Sequence, residues 1–490
     1  MTATRVIVVG GGVSGLATAF HLRTLNPDRP AEIVLLEGAD RAGGKIRTDT
    51  DGGCVRERGP NGFLDNVPET LELVQALGLQ GRLRRASEDA ANRYILKDGG
   101  LWKIPGSRAE FAWTRLLSLR AKLRILWEPF AGRAPEGDES VHDFARRRIG
   151  EEPARLLVSA MVAGIFAGDA RQISLRSAFP TMHAMEREHG SLLRAMLAKR
   201  KEARRLEEEA TAIPPGAHER VHADLRTGAA SPTRCRAAGS PFGPGGTLTT
   251  FDGGMQVMTD ALAERLGPAV RTGRRAMAVA RDGGRWAVQA ADGEVFRADA
   301  VVVAAPAPDA ALLLAGLDQR FRPVLEAIPV APVAVASLRF AEADAPKAKA
   351  GFGFLVPGGE EAKVLGVLWD STVFEGRAPA GEVLLRAMLG GAREPALVDL
   401  TEDEIVALVR EDLRRSMAIT ADPVEARVWR WHQGIPQYTL GHADRLARID
   451  EIRAGHSGLH LTGNSYRGIS MNLCCRDALR TAQSVLEEAK

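Results

Sequence analysis

Residues 5–37, RVIVVGGGVSGLATAFHLRTLNPDRPAEIVLLE, decide how the rest of the chain is read. A short apolar run at 6–9 leads into Gly10-x-Gly12-x-x-Gly15, then into apolar positions at helical spacing (Val13, Leu16, Ala19, Leu22), then into a second apolar run at 33–36. That order predicts strand, tight turn, helix and strand. The glycines carry the chemistry. One permits the turn, one lets a pyrophosphate approach backbone N–H groups at the helix N-terminus, and one lets helix and strand pack closely. Glu37 ends the second strand, 22 residues past Gly15, where a carboxylate accepts hydrogen bonds from a ribose diol. A glycine-rich turn alone says little, but glycines, helix, second strand and terminal acid together specify a dinucleotide cradle.

The residues that follow, Asp40-Arg41-Ala42-Gly43-Gly44-Lys45, resemble the second glycine motif of the amine oxidase-like flavoproteins, and that resemblance implies FAD rather than NAD. Later motifs resemble a narrower family, the protoporphyrinogen oxidases: Gly59-Pro60-Asn61-Gly62-Phe63-Leu64-Asp65, Asn92-Arg93-Tyr94-Ile95, Ala163-Gly164-Ile165-Phe166-Ala167-Gly168-Asp169, Phe251-Asp252-Gly253-Gly254-Met255-Gln256, Gly351-Phe352-Gly353-Phe354-Leu355-Val356-Pro357 and Gly434-Ile435-Pro436-Gln437-Tyr438. They occur in order over residues 5–482, and one long stretch, 210–246, falls outside the resemblance. The fold implied is α/β plus α+β: a Rossmann-like FAD-binding domain, a mixed-sheet substrate domain and a helical domain.

At 490 residues and 45% apolar the chain can bury a sizeable core, and its length suggests two or three domains. With 65 basic and 62 acidic residues the net charge is only +3, which gives no reason to expect a nucleic-acid partner. The cysteines at 54, 235, 474 and 475 show no metal-ligand or CxxC spacing, as expected in a reducing cytoplasm. The first residues lead straight into the first strand without the charged and apolar regions of a secretory signal. No apolar run reaches the roughly 18 to 20 residues that cross a bilayer, so membrane contact, if any, is expected to be peripheral, on the inner face of the cell membrane.

Taken in order, residues 1–90, 247–310 and 425–490 are assigned to a discontinuous FAD-binding domain, 91–209 to a mainly helical domain, 210–246 to a flexible insertion rich in proline and glycine, and 311–424 to a substrate domain with an antiparallel sheet. Leu116, Leu119, Leu123, Leu126, Trp127 and Phe130 repeat at helical spacing, with Arg115, Arg120, Lys122 and Arg124 on other faces. Two readings stay open: the stripe packs on a core, or this basic amphipathic face rests on a membrane. Residues 199–209 read as a solvated, charge-paired helix end. Residues 330–340, 351–356, 364–369 and 383–389 read as strands, and 401–417 as a helix with a Thr401-x-x-Glu404 capping box.

By resemblance, cofactor contacts come from Gly10, Gly11, Gly12, Val13, Ser14, Gly15, Glu37, Gly38, Lys45, Gly59, Pro60, Asn61, Gly62, Ala276, Trp431, Asn464, Ile469, Ser470 and Met471. The residues from Gly10 to Gly15 and Glu37 have an independent warrant in the cradle; Ala276, Trp431 and Asn464 rest on resemblance alone. Gly38 stands where a serine often follows the ribose acid, and Ala276 where a valine commonly sits. The implied substrate, a porphyrinogen, is a broad apolar macrocycle with carboxylate side chains, so it needs aliphatic walls and a cation. Arg93 matches the arginine that pairs with a propionate, Leu355 and Leu368 the pair that sandwiches a pyrrole, and Met388 stands where the plant enzymes have a stacking phenylalanine, with Gly164 on the same pocket. Such apolar residues on strands are otherwise ordinary core, and Arg93 could instead be a surface arginine paired with Glu88 or Asp89.

No HExxH, GxSxG or metal-ligand spacing occurs, so neither a catalytic residue nor a metal is assigned. That suits a reaction in which hydride passes to flavin N5 and the protein mainly positions the ring. The implied reaction is oxidation of protoporphyrinogen IX by molecular oxygen to protoporphyrin IX and peroxide, in heme biosynthesis. Coproporphyrinogen III oxidation, another amine oxidase or desaturase activity, and a flavin-free prenyl-protein-binding relative are the alternatives.

Overall fold

A computed structural model describes residues 4–132, 136–198, 201, 205 and 246–488. The expected charged helix end at 199–209, apart from residues 201 and 205, and the insertion at 210–246, apart from Gly246, lie outside the described residues.

The opening stretch folds as its pattern predicts: strand Arg5–Val9, helix Val13–Thr24 and strand Glu32–Leu36. The strands belong to a five-stranded, all-parallel sheet in the order Val270–Arg271, Glu32–Leu36, Arg5–Val9, Ala300–Val303, Leu459–Leu461. Near-continuous apolar strands need cover on both faces. Val6, Val8 and Leu35 pack with Leu16, Met258 and Ala478 on one side, whereas Ile7, Val9 and Val301 pack with Leu314, Trp286 and Ile449 on the other. Helices Gln256–Leu266 and Met471–Glu488 thus cover the same face as the cradle helix, from segments distant in sequence. Strands Ala276–Asp282, Arg285–Ala290 and Val295–Ala298 form a separate three-stranded antiparallel sheet.

A seven-stranded sheet is ordered Glu425–Pro436, Val330–Ala341, Glu382–Gly390, Val364–Trp369, Gly353–Leu355, Arg93–Lys97, Gly100–Lys103. All pairs are antiparallel except Gly353–Leu355 with Arg93–Lys97. Two boundaries read from the sequence are corrected by this pairing. The sequence groups residues 93–103 with the helical domain and 425–436 with the FAD-binding domain, yet Arg93–Lys97, Gly100–Lys103 and Glu425–Pro436 are all strands of this one sheet. Each satisfies its backbone against a neighbour far away in the chain, which local pattern cannot reveal. One face of the sheet, including Phe354, Val367, Ala387 and Ala336, packs on helix Glu402–Met417, whose Thr401–Glu404 capping box forms as expected. The opposite face is left for the site.

The stripe at 116–130 is not one helix. Ser118 caps Leu119–Leu126 by accepting the Ala121 N–H, and this start sets the register: Ala121 and Ile125 turn inward with Leu116 and Leu117. Leu119, Leu123, Leu126, Trp127 and Phe130 turn outward and are exposed, so the reading of a stripe packed on a core fails for them. Nearby, Glu128 and Arg148 form a buried ion pair. Among the described residues no helix is long and apolar enough to cross a membrane.

Candidate functional site

The cradle is shaped for an anion. Helix Val13–Thr24 begins at Gly12 with no side-chain cap and no acid in its first turn, so its first N–H groups are left for a ligand. Close packing explains the glycines. A Cβ on Gly15 would overlap the Gly10 carbonyl, and one on Gly10, which sits at φ +106°, would come within 2.9 Å of the Ala304 oxygen. Gly12, by contrast, faces open space, as a position approached by a pyrophosphate should. Glu37 is held by two backbone donors, Gly11 N–H at 2.6 Å and Ala39 N–H at 2.8 Å. A Cβ on Gly38 would press on Arg275 carbons at 3.3–3.5 Å, so Arg275 would have to shift slightly to accept it. Ala276 follows two residues after Arg274, whose N–H donates to the Glu37 carbonyl, so it lies beside the ribose acid.

The second glycine motif closes over the first: Gly43 N–H donates to Gly11 O at 2.7 Å, and a Cβ on Gly44 would stand 3.0 Å from Gly12 Cα. Lys45 runs inward and donates to Gly434 O at 2.7 Å; burial pulls its pKa down to about 8. Trp431 Nε1 donates to Arg58 O, which places the indole against the turn leading into Gly59. In that turn Asn61 is buried, and neither its amide nitrogen nor its amide oxygen has a partner within the protein. Buried amides are rarely left so, and a flavin ring with its row of donors and acceptors would satisfy both ends. The loop carrying Asn464, Ile469 and Ser470 leads into Met471, at the start of the last helix. These features fit FAD.

The other face of the seven-stranded sheet carries two rows of residues. In one row Arg93 pairs with Gly353, Gly353 with Leu368, and Leu368 with Arg386; two residues along, Ile95, Leu355, Gly366 and Met388 form the next row on the same face. Helix Ser159–Phe166 lies over this floor so closely that a Cβ on Gly164 would come within 2.8 Å of Leu355 Cδ2. The sequence-assigned Arg93, Leu355, Leu368, Met388 and Gly164 are thus brought together. Arg93 is exposed, its guanidinium lies 5.0 Å from the Phe352 ring centre, and it has no ion pair with Glu88 or Asp89.

Arg386 escaped the sequence reading. It is buried, donates to Gly59 O at 2.6 Å and lies 3.4 Å from Asp370. Burial pushes the Asp370 pKa up, against the pull of Arg386. Arg386 therefore ties the floor strand to the turn at 59–62. A charged residue alternating with Leu384 and Met388 in an apolar strand was the available signal. Among the described residues no cluster could hold a metal, and Cys54, Cys474 and Cys475 are free and buried.

The chain matches the flavin containing amine oxidoreductase family over residues 13–486. Coproporphyrinogen III oxidase of Bacillus subtilis (strain 168) is 29% identical over 482 residues, covering 96% of this chain and 95% of that protein. Human protoporphyrinogen oxidase is 31% identical over 504 residues, 98% of each. Among solved structures, a provisionally named protoporphyrinogen oxidase from Exiguobacterium superposes with a TM-score of 0.79 at 26% identity, covering 99% of this chain and 100% of that one.

Proposed function

The chain belongs to the flavin-containing amine oxidoreductases, and from that membership we infer that it oxidises protoporphyrinogen IX to protoporphyrin IX with molecular oxygen as acceptor. It is an oxidoreductase with FAD as its cofactor. The observation that carries the choice of substrate is the charge on the floor of the sheet. Arg339, Arg386 and Arg427 on that face each meet a carboxylate, whereas Arg93, among the described residues, has none within ion-pair distance. One unclaimed guanidinium suits a macrocycle with few carboxylates better than one with four.

The chemistry that FAD would supply in this cradle is acceptance of hydride and its delivery, as electrons, to oxygen. The chain's own residues do the positioning. Arg93 holds a propionate, Leu355 and Leu368 grip a pyrrole face, Met388 offers its thioether to another, and Gly164 lets the roof helix close without a gap that would admit water. Lys45 offers the anionic nucleotide a positive charge, and Glu37 accepts hydrogen bonds from its ribose. Anaerobic addition of protoporphyrinogen to the FAD-loaded protein should bleach the visible flavin absorbance within one turnover; absence of bleaching would refute the reading.

The same inference extends to location. Trp113, Leu119, Leu123, Leu126, Trp127 and Phe130 project from one region flanked by Arg115, Arg120, Lys122 and Arg124, and this combination fits the surface of an anionic bilayer. Co-sedimentation with phosphatidylglycerol vesicles, reduced when Leu123 and Trp127 are replaced by serine, is the expected result. Equal sedimentation of the double variant would count against it.

A further inference from the structure

The motif Gly434-Ile435-Pro436-Gln437-Tyr438 contributes only Gly434, through Lys45, to the site described above. Yet Gln437 and Tyr438 are 3% and 2% exposed, and a buried amide and a buried phenol must each find partners. The Tyr438 hydroxyl donates to Asn464 O at 2.7 Å and accepts the Gly468 N–H at 2.7 Å, so one oxygen clasps both sides of the loop at 463–470. Gly468 sits at φ +145°, and a Cβ there would run into Leu473, so this loop has little freedom to find another arrangement. Burial pushes the Tyr438 pKa further up, which keeps the hydroxyl neutral and suits a strut rather than a proton relay.

Gln437 reaches the other way. Its Nε2 donates to Phe166 O at 2.7 Å and to Ile435 O at 2.9 Å. Phe166 is the last residue of the roof helix Ser159–Phe166, and carbonyls in a final turn have no partner within their own helix. Ala167 then leaves the helix at φ +47°, and a Cβ on Gly168 would collide with Gln437 Oε1, so the amide fits a turn shaped around it. The Tyr438 ring also stacks on His442, with centroids 4.0 Å apart at 13°, and meets Phe166 edge-on at 6.0 Å. One dipeptide therefore holds the end of the helix that carries Gly164 and the loop that carries Asn464, Ile469 and Ser470.

We propose that Gln437 and Tyr438 are positioning residues that couple the flavin loop to the substrate roof, so that loading of FAD and ordering of the helix over Leu355 are a single event. The proposal rests on the assignment of those two segments to cofactor and substrate given above. Neither residue touches the reacting atoms; both act through the backbone they pin.

The test is hydrogen–deuterium exchange by mass spectrometry on the FAD-loaded protein and its Tyr438→Phe and Gln437→Met variants. Tyr438→Phe keeps the ring and removes both hydroxyl bonds. It should speed exchange about tenfold, the effect of losing one or two hydrogen bonds, at 464–468 and also at 163–168, and raise the FAD dissociation constant by a similar factor. Gln437→Met should speed exchange at the same two segments although it touches only the second. Changes confined in each variant to the segment it contacts, or absent from both, would overturn the coupling. Should Tyr438→Phe fail to fold, Gln437→Met decides alone by whether its effect reaches 464–468. A general loosening would lower the melting temperature and raise exchange throughout, and that outcome also contradicts the proposal. Exchange is measured without substrate, so a protein inactive on porphyrinogens would refute the functional reading and leave this result standing.

Discussion

The Glu37 carboxylate accepts the Gly11 N–H at 2.6 Å, which ties the acid at the end of the second strand to the glycine turn after the first. Its other oxygen accepts the Ala39 N–H, so the side chain is fixed before any ribose arrives. Preorganised acceptors of this kind add affinity because no rotamer freedom is lost on binding. Glu37→Ala should cost about 1.5 to 3 kcal/mol of FAD affinity, the range for a charge-assisted hydrogen bond. Flavin occupancy after gel filtration and titration of stripped protein with FAD check this; full occupancy and unchanged affinity would remove Glu37 from the site.

Lys45 gives FAD binding a pH dependence of defined sign. Burial pulls its pKa down to about 8, and an anionic dinucleotide nearby favours the ammonium form. Below pH 8 the charge is already present and affinity should be flat. Above it binding must take up a proton, so affinity should fall by up to about tenfold per pH unit. FAD titrations at neutral and alkaline pH should show this slope, and Lys45→Met should abolish it while binding more weakly throughout.

Glu128 anchors the helical domain. Burial pushes its pKa up, but hydrogen bonds from Ser191 Oγ, the Leu192 N–H, Arg148 and the Leu193 N–H outweigh this and leave the carboxyl below its usual range. A carboxyl depressed in the folded state stabilises above its unfolded pKa, about 4.3, and that contribution disappears as pH falls through the folded value. Glu128→Gln leaves Arg148 with Glu186, at 3.3 Å, as its remaining carboxylate and should cost about 1 to 3 kcal/mol. Chemical denaturation near neutral pH should show that loss, and the variant should lack the acid-dependent part of the wild-type decline.

How much of this was legible in the sequence depended on the range of the interactions. The cradle, the capping box at Thr401 and the strands at 330–390 are local patterns, and each formed where its spacing placed it. Two strands of the seven-stranded sheet were not legible, because Arg93–Lys97 and Glu425–Pro436 become strands only by pairing with segments far along the chain. Arg386 and Tyr438 were missed as site-supporting residues for the same reason: their partners, Gly59, Asn464 and Gly468, are brought close only by the fold. The stripe at 116–130 left two readings open because its period did not give its phase, which one capping residue, Ser118, sets.

Arg93 should govern substrate affinity. Arg93→Ala removes a bidentate partner for a propionate and should raise the porphyrinogen KM about ten- to a hundredfold, as loss of a charge-assisted hydrogen bond implies, with the flavin spectrum intact. Lysine should restore part of the loss, since an ammonium keeps the charge but not the fork. Steady-state kinetics on the three forms check both statements, and unchanged constants in the alanine variant would take Arg93 out of the pocket.

The most direct test of the account is aerobic porphyrin fluorescence with the FAD-loaded protein, comparing kcat/KM for protoporphyrinogen IX and coproporphyrinogen III under the same conditions. One unclaimed arginine beside an aliphatic clamp predicts that protoporphyrinogen is the better substrate and that its oxidation consumes oxygen and releases peroxide. Porphyrin formed only from coproporphyrinogen, or from neither compound by protein that retains its flavin, would contradict it.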